Sequence, residues 1–321
     1  MTEHPIKWGD AQQYHAEAQP SYQGEEKGVW PSVHLLWMTP DPLGAVAAMA
    51  EMYRGNVIRD LAEVTDDMRR RAFEDVQQTH LKAPLEAVKL HFMIEGVDRA
   101  FTHQLVRQRT AVYAQESMRF SVLGKLHEAT TLPPSLQGTR REVDMSGPIT
   151  REQSWRYDWD IAIDELDRVY HKLVESGMPA EEARGLLPHC TATRLNYVTD
   201  LRNLSDHAGN RLCTQAQFHW RAVFAQIMLA IREHPDPDWQ DEWQYRALAE
   251  SALFRPVCYQ LGHCPFQASF DRACTIRNRV EMFSEHGIPP AQWGDKDKVV
   301  NGIPIQIEEW LLNPAAARKV R

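Results

Sequence analysis

The stretch Arg99-Ala-Phe-Thr-His-Gln-Leu-Val-Arg-Gln-Arg-Thr-Ala-Val-Tyr-Ala-Gln-Glu-Ser-Met-Arg-Phe-Ser121 carries the most informative pattern in the chain. Val97, Phe101 and Leu105 recur every fourth residue, which predicts a helix with one apolar stripe. The β-branched and aromatic residues that follow from Thr110 predict that the helix ends there. We therefore expect an amphipathic helix that leads directly into a polar segment.

Polar side chains crowd the second half of this stretch. The predicted helix would carry Gln104, Arg107 and Gln108 on one face, at positions i, i+3 and i+4. Further polar residues follow closely in sequence: Arg109, Gln115, Glu116, Ser117 and Arg119. The arginines and the serine could hold a phosphate, because guanidinium groups match phosphate oxygens. Ordinary solvated surface arginines are the simpler alternative.

The spacing of these residues resembles a known family signature. Arg107-x-Arg109, followed after seven residues by Ser117, is similar to the Arg-His-Arg-x7-Ser signature of the flavin-dependent thymidylate synthases. The flanking residues 102–106 and Arg119 also resemble that family. Similar elements recur along the chain: Thr39-Pro-Asp-Pro42, Ala183-Arg184-x-x-Leu187-Pro188, Asp200-x-Arg202-x-Leu204 and Arg211.

The resemblance implies a fold class and a domain organisation. The family fold is α+β, with an antiparallel or mixed β-sheet flanked by helices, and it assembles as a homotetramer with shared active sites. We expect three segments: an irregular amino-terminal extension (1–31), a synthase-like domain (32–250) and a carboxy-terminal extension of unknown role (251–321).

Local patterns predict where the main elements lie. Residues 33–38 favour a strand, and apolar and polar residues alternate in a second, half-buried strand, whose apolar positions are Val88, Leu90, Phe92 and Ile94. Residues 158–176 predict an amphipathic helix with Gly177 as its left-handed cap. Residues 218–231 predict a long apolar helix.

A helix is also expected to start near Asp200. Gly209 predicts its end, and the Thr214 to Gln217 segment has the spacing of a capping box for the next helix. Arg211 would then lie in the junction between the two helices, where a side chain can point into a pocket.

The resemblance also implies an activity: methylation of dUMP to dTMP. Methylenetetrahydrofolate would donate the carbon, and NADPH would supply electrons through FAD. Arg211 stands nine positions after Arg202, the family's spacing for the arginine that activates the pyrimidine ring. It is the candidate catalytic residue, because a fixed cation can stabilise charge that develops on the ring.

Site residues follow from the same resemblance. Contacts with the pyrimidine deoxynucleotide monophosphate are expected from Gln104, Arg107, Gln115, Glu116, Ser117, Met118, Arg119, Arg184 and Arg211. Contacts with FAD are expected from Ala83, Arg107, Gln108, Arg109, Gln115, Asp200, Arg202 and Asp206.

Some positions depart from the family pattern, and they leave alternatives open. Gln108 replaces the signature histidine, Ala83 replaces a hydroxyl residue, and Gln115 stands where glutamate is usual; Ala114 and Gln215 differ as well. The chain could therefore act on another pyrimidine deoxynucleotide or leave a hydroxymethyl group. A catalytically inactive nucleotide-binding relative is the alternative from another class.

Composition excludes other classes of function. The net charge of −8 argues against a non-specific nucleic-acid binder. No apolar run approaches the roughly 18 residues of a membrane helix. Five cysteines without a signal-peptide pattern predict reduced thiols and a cytoplasmic protein.

The cysteine-rich carboxy-terminal segment contains residues that could form a metal site. Cys258, His263, Cys264 and Cys274 are possible zinc ligands. Their spacing lacks the close Cys-x2-Cys pair that makes a zinc assignment specific. Buried thiols are the default interpretation, and no metal is predicted.

Overall fold

A computed structural model describes residues 31–79, 81–120, 122–133, 136, 150–213, 216–234, 242–261, 263, 265–266, 299–300 and 303–304. The helices there are α1 (Pro42–Met52), α2 (Asp66–Gln78), α3 (Arg99–Leu105), α4 (Arg151–Glu175), α5 (Ala180–Ala183), α6 (Leu201–Arg211), α7 (Phe218–Arg232), α8 (Glu242–Glu250) and α9 (Val257–Leu261). The strands are β1 (Ser32–Met38), β2 (Lys89–Asp98), β3 (Val112–Gln115), β4 (Ala192–Asp200), β5 (Val299–Val300) and β6 (Ile303–Pro304).

Several predictions fall outside the described residues. These concern the amino-terminal extension up to residue 30, the Thr214 and Gln215 positions, Cys264, Cys274 and most of the carboxy-terminal extension. The predicted domain boundaries at residues 31 and 250 stay predictions.

The strands form two sheets among the described residues. The larger sheet has four strands in the order β1-β2-β4-β3. The smaller pairs β5 with β6 in antiparallel fashion, with Val299 opposite Pro304 and Val300 opposite Ile303. Helices and strands alternate without a repeating βαβ pattern, so the predicted α+β class is confirmed.

The chain divides into two compact units. One comprises residues 33–93, 109–112 and 196–321, and the other comprises residues 1–32, 94–108 and 113–195. The first contains α1, α2 and α6 to α9. The second contains α3, α4 and α5.

Strand β2 confirms the predicted alternation. The residues predicted to face the core are all fully buried: Val88, Leu90, Phe92 and Ile94. The intervening polar side chains are at least partly exposed. In the first unit, the rings of Phe92 and Tyr197 stack with centroids 6.2 Å apart. The period-two pattern therefore correctly indicates a strand with one face toward the core.

Helix α3 is shorter than predicted. Val97 lies in β2, and the helix begins after Asp98, whose carboxylate accepts a hydrogen bond from the Phe101 N–H at 2.6 Å. It ends at Leu105, so Arg107 and Gln108 do not share a helical face with Gln104. The Tyr113 hydroxyl lies 2.9 Å from the Leu105 carbonyl oxygen and 3.0 Å from that of Gln108. This contact caps carbonyls that a longer helix would have used.

Helix α6 is longer than predicted, and the expected end at Gly209 is wrong. The helix continues to Arg211, which is its last residue and does not lie in a junction. A Cβ at Gly209 would lie 3.0 Å from Nε2 of Gln260, so a larger residue here would require the Gln260 side chain to shift.

Helices α4 and α7 confirm their predictions in outline. Helix α4 starts earlier than expected, with Thr150 and Gln153 forming a capping box. Its carboxyl end is followed by Gly177 with φ of 97°, the predicted left-handed residue. In α7 the aromatic residues Trp220 and Phe224 are buried to 0% and 1% exposure.

Candidate active site

The polar segment after β3 is held by the neighbouring strand β4. The main-chain N–H of Glu116 donates to the carbonyl of Arg194 at 3.0 Å. The two side chains also form an ion pair, with 3.2 Å between Arg194 Nη2 and Glu116 Oε1. Backbone and charge together therefore fix the start of the predicted nucleotide-binding segment.

The next residues form a tight turn that exposes two predicted ligands. The main-chain N–H of Arg119 donates to Ser117 Oγ at 3.3 Å, in a turn typical of serine. Met118 between them is only 4% exposed and anchors the turn by its burial. Ser117 and Arg119 are both exposed. The turn thus presents a hydroxyl and a guanidinium to the outside, as a phosphate site requires.

Glu181 contacts two of the predicted arginines, one through its side chain and one through its main chain. Its Oε2 accepts hydrogen bonds from Arg119 Nε at 3.1 Å and from Nη2 at 2.8 Å. Its main-chain carbonyl accepts a hydrogen bond from Arg184 Nε at 3.1 Å. Both arginines are exposed. Ser117, Arg119 and Arg184 are therefore linked through one turn and one acidic residue at the start of α5.

Gln115 is engaged inside the same unit. Its Nε2 donates to Thr102 Oγ1 at 3.1 Å and lies 3.5 Å from Thr193 Oγ1. The amide thus bridges α3 and β4 from the end of β3. A glutamate could accept from these hydroxyls but could not donate to them. Glutamine in place of glutamate therefore reverses the donor and acceptor roles in these hydrogen bonds and also removes a charge.

The signature residues themselves lie in the turn after α3. Arg107 and Arg109 are exposed, and neither forms an ion pair with a described residue. Gln104 and Gln108 are half-buried. The Gln108 carbonyl accepts from Tyr113, whose pKa is raised to about 12 by burial. The Tyr113 hydroxyl therefore stays protonated and supports the turn.

In the other unit, Asp200 serves as the N-cap of α6. Its Oδ1 accepts from the Asn203 N–H at 2.9 Å, and its Oδ2 accepts from Asn203 Nδ2 at 2.8 Å. Lys89 Nζ lies 3.2 Å from the same Oδ2. The buried carboxylate of Asp200 therefore stabilises the start of α6. The resemblance predicts a contact with FAD at this residue and does not predict this structural function.

Arg202 and Ala83 lie on elements that pack together. Ala83 begins a short 3₁₀ turn, Ala83–Ala87, which contacts α6. Arg202 Nη1 pairs with Glu86 Oε1 of this turn at 2.5 Å. Both side chains of the pair are nearly half exposed. The pair brings the two expected flavin positions, Ala83 and Arg202, to the same region.

Lys82 and Asp206 add opposite charges to this region. Lys82 Nζ donates to the Val76 carbonyl at 2.5 Å. Desolvation lowers the pKa of Lys82, and the charge of Asp206 opposes that shift. Desolvation raises the pKa of Asp206, against the attraction of Arg202 and Lys82. The region therefore holds cationic groups beside a partly desolvated carboxylate.

Arg211, the candidate catalytic residue, lies against aromatic rings. Its Cζ lies 4.5 Å from the centroid of the Trp220 ring. Its Nε donates to His207 Nε2 at 3.4 Å. Desolvation lowers the pKa of Arg211 from a very high ordinary value, so the guanidinium stays charged. The arrangement can hold a partly desolvated cation in one orientation, as electrostatic stabilisation of a reacting ring requires.

Each unit thus assembles a subset of the predicted residues. One contains Gln104, Arg107, Gln108, Gln115, Glu116, Ser117, Met118, Arg119 and Arg184; the other contains Ala83, Arg109, Asp200, Arg202, Asp206 and Arg211. Sequence reasoning missed several of their partners: Glu181, Arg194, Lys82, Glu86, His207 and Trp220. Two of these have a local signal: His207 stands at i−4 from Arg211, and Glu181 stands at i−3 from Arg184.

Thiol and metal chemistry have little support in the described part of the chain. Burial raises the pKa of Cys190 to about 11, so this thiol is a poor nucleophile near pH 7. No group of three or more His, Cys, Asp or Glu side chains in the described ranges could hold a metal ion. Of the four candidate zinc ligands, only Cys258 and His263 lie in those ranges.

No helix in the described part of the chain has the length and apolar character to cross a membrane.

Comparison with known structures is consistent with this fold. The crystal structure of the UMP/dUMP methylase PolB from Streptomyces cacaoi, bound with 5-Br dUMP, aligns with a TM-score of 0.53 at 20% identity. The alignment covers 64% of this chain and 91% of that one. At this identity the similarity concerns the fold alone.

Sequence comparison identifies the family. Residues 34–236 match the family described as "Thymidylate synthase complementing protein". The flavin-dependent thymidylate synthase of Geobacter sulfurreducens is 31% identical over 202 residues, which are 62% of this chain and 82% of that protein. The enzyme of the same name from Pyrococcus abyssi is 28% identical over 233 residues, 68% of this chain and 87% of that protein. The chain therefore belongs to the flavin-dependent thymidylate synthase family.

Proposed function

We propose that this protein methylates dUMP to dTMP, with methylenetetrahydrofolate as carbon donor and NADPH as reductant through FAD. Family membership supports the reaction class. The observation that carries the proposal is the cluster of Ser117, Arg119 and Arg184 around Glu181. These residues come from two separate parts of the family pattern, and the fold links them.

The phosphate of the nucleotide is assigned to this cluster. A monophosphate offers three oxygens; the exposed turn offers the hydroxyl of Ser117 and the donors of Arg119, and Arg184 adds a second guanidinium. Hydrogen bonds to charged groups contribute about 1.5–3 kcal/mol each. Two or three such contacts are enough to distinguish a nucleotide from its nucleoside by several orders of magnitude in affinity.

The residues around Ala83 fit the anionic part of FAD. Three cationic residues lie here in one unit: Lys82 directly before the 3₁₀ turn, Lys89 on β2 and Arg202 on α6. Cations of this kind suit a pyrophosphate, whereas the methyl of Ala83 supplies no hydroxyl to it. FAD, when bound, supplies the hydride equivalent that reduces the transferred carbon. The chain's own contribution is to bind and orient the groups that react.

Arg211 is assigned to the pyrimidine ring. Charge that develops on a uracil ring when its C5 becomes nucleophilic can be stabilised by a fixed cation. Its contact with Trp220 shields one face of the guanidinium from water, which strengthens its electrostatic effect. Burial holds the Cys190 thiol protonated, and no enzyme thiol is assigned to this step.

The assembly and location belong to the same proposal. We expect a homotetramer in the cytoplasm, with active sites shared between subunits and no nucleic acid bound. Light scattering coupled to size exclusion gives the mass of the particle directly. A monomer at micromolar concentration would contradict the expected homotetramer but would leave the proposed activity unaffected.

A spectrum and a product assay test the function. Purified protein should absorb in the flavin bands, or do so after soaking in FAD and removal of the excess. It is then incubated with dUMP, methylenetetrahydrofolate and NADPH, and the nucleotide product is weighed by mass spectrometry. Product heavier by one CH₂, as expected when methyl replaces the C5 hydrogen, supports the proposal, and Arg211→Ala is the matched inactive control.

Two parallel reactions address the departures at Gln108 and Gln115. In one, dCMP replaces dUMP, and in both the product mass distinguishes methyl from hydroxymethyl. A product formed only from dCMP, or heavier by the extra oxygen, would replace the proposed reaction. Protein that binds no flavin and forms no product would contradict it altogether.

A further inference from the structure

One histidine contacts the candidate catalytic arginine from within the same helix. His207 and Arg211 are four residues apart on α6, so their side chains lie on one face. Arg211 Nε and His207 Nε2 are 3.4 Å apart. The Trp220 ring of α7 lies against both: 4.5 Å from Arg211 Cζ and 4.8 Å, centroid to centroid, from the His207 ring.

The imidazole is fixed by aromatic contacts. Its ring meets Trp220 at an interplanar angle of 63° and meets Phe224 edge-on at 85°, with centroids 5.8 Å apart. Edge-to-face contacts of this kind restrict rotation of the ring. The nitrogen that faces Arg211 therefore keeps its place.

The protonation state of the ring suits the contact. For Nε2 to accept from Arg211, the proton must lie on Nδ1. Nδ1 is buried and has no hydrogen-bond partner among the described residues. Desolvation, with a smaller effect of Arg211, lowers the pKa of His207 to about 4. The ring is thus neutral near pH 7 and keeps the lone pair that the arginine needs.

The contact constrains the whole guanidinium. The group is planar, and its N–H donors form a rigid fork. One donor fixed by His207 and one face fixed by Trp220 leave a single orientation for the plane. Misplacement of a reacting group by about 1 Å can cost 10²-fold in rate, so this orientation has catalytic consequences.

We infer that His207 is a positioning residue for Arg211, which it orients toward the pyrimidine by accepting the Nε–H. The inference rests on the proposed function for its catalytic meaning. The hydrogen bond itself does not depend on that function. A purely structural alternative is that the ring only fills space between α6 and α7.

Two variants separate the acceptor from the ring. His207→Phe keeps an aromatic ring against Trp220 and Phe224 but has no acceptor. His207→Gln loses the ring and retains a carbonyl oxygen that can accept from Arg211. A space-filling role predicts that the phenylalanine variant resembles the parent protein. A positioning role predicts the reverse order.

The first readout is steady-state kinetics with the FAD-loaded full chain. We expect His207→Phe to lower kcat by about tenfold or more with the KM for dUMP changed less than about threefold. His207→Gln should recover most of the lost kcat. A His207→Phe variant as active as the parent, or a His207→Gln variant less active than His207→Phe, would overturn the inference.

The second readout is independent of turnover. Protein labelled with ¹⁵N-arginine is observed by NMR, and the Nε–H signal of Arg211 is assigned by its loss in Arg211→Lys. Protection of this signal from solvent exchange should persist in His207→Gln and disappear in His207→Phe. Unchanged protection in His207→Phe would refute the contact. A parent protein without synthase activity that shows the expected NMR pattern would contradict the proposed function and support the contact.

Discussion

One carboxylate oxygen of Glu181 accepts hydrogen bonds from two nitrogens of Arg119, Nε at 3.1 Å and Nη2 at 2.8 Å. The side chains are about half exposed, at 51% for Arg119 and 48% for Glu181. An exposed pair of this kind contributes only about 0–1 kcal/mol to stability. Arg119 is therefore held in position by a weak ion pair, in which a phosphate can take the place of the Glu181 carboxylate.

Glu181→Gln should tighten nucleotide binding. Removal of the carboxylate charge beside the phosphate lowers repulsion and frees Arg119 to pair with the ligand. We expect the Kd for dUMP to fall about two- to fivefold, and the gain to shrink at high salt. Calorimetric titration measures it. Glu182→Gln is the control, because Glu182 is exposed but forms no ion pair with a described residue.

If Glu181→Gln weakens dUMP binding, the carboxylate holds Arg119 in the binding orientation and does not compete with phosphate. A fall in affinity in both variants would indicate a general effect of net charge instead.

Ala83→Ser should tighten FAD binding. The serine restores the hydroxyl that the family pattern has at this position, and Ala83 is only half-buried, so the extra atom has room. One hydrogen bond to a charged phosphate predicts a gain of about tenfold in affinity. Quenching of flavin fluorescence on titration gives the Kd.

Ala87→Ser is the matched control for this change, because Ala87 ends the same 3₁₀ turn and is also half-buried. Equal effects of both serines would show that the hydroxyl acts on the turn and not on the cofactor. A loss of affinity in Ala83→Ser alone would place the pyrophosphate elsewhere.

The low pKa of His207 should make the fold sensitive to acid. An unfolded chain takes up a proton near the ordinary pKa of 6.5, whereas the folded chain does so at about 4. The contribution of the neutral His207 ring to the free energy of unfolding is therefore complete above pH 6.5, and it is lost as the pH falls from there towards 4. Between pH 7 and pH 5 the parent should lose about 2 kcal/mol more free energy of unfolding than His207→Phe.

Urea denaturation at both pH values measures that difference. His103→Phe is the control, because His103 is exposed, and it should lose as much stability as the parent. Equal losses in the parent and in His207→Phe would mean that the buried ring does not resist protonation.

Regular local patterns predicted most of the fold. The alternation in β2 and the apolar spacing of α7 are readable because each buried face repeats with the period of its element. The predicted ends of α3 and α6 are wrong for different reasons. Tyr113, eight residues after Leu105, contacts the carbonyl of Leu105 and caps α3 from beyond the helix. In α6 the glycine at position 209 suggests an end, but the helix continues to Arg211.

The site residues divide in the same way. Family resemblance predicts Ser117, Arg119 and Arg184 as candidates, because their types and spacing match the family pattern. It did not identify Glu181, which is 62 positions from Arg119. An acidic residue in the first turn of a short helix has an ordinary explanation in the helix dipole. Only the folded chain shows that it holds an arginine.

Gln108 stands where the family signature has histidine, and its backbone is fixed independently of its side chain. Its N–H donates to the Leu105 carbonyl at 3.0 Å, and its own carbonyl accepts from the Tyr113 hydroxyl at 3.0 Å. A substitution here should therefore leave the turn intact. The side chain is half-buried between two exposed arginines in sequence, Arg107 and Arg109.

Gln108→His should change turnover by less than about threefold between pH 6 and pH 9. Glutamine is neutral at every pH and can still donate a hydrogen bond, whereas histidine becomes charged only below about pH 6.5. Arg107 and Arg109 already supply permanent positive charge, so a further charge adds little. The rate of flavin reoxidation by dUMP plus the folate donor, compared across this pH range, measures the effect. A large gain confined to the acidic side would mean that a charged group at this position assists the chemistry, and that this chain has diverged from its relatives in that step.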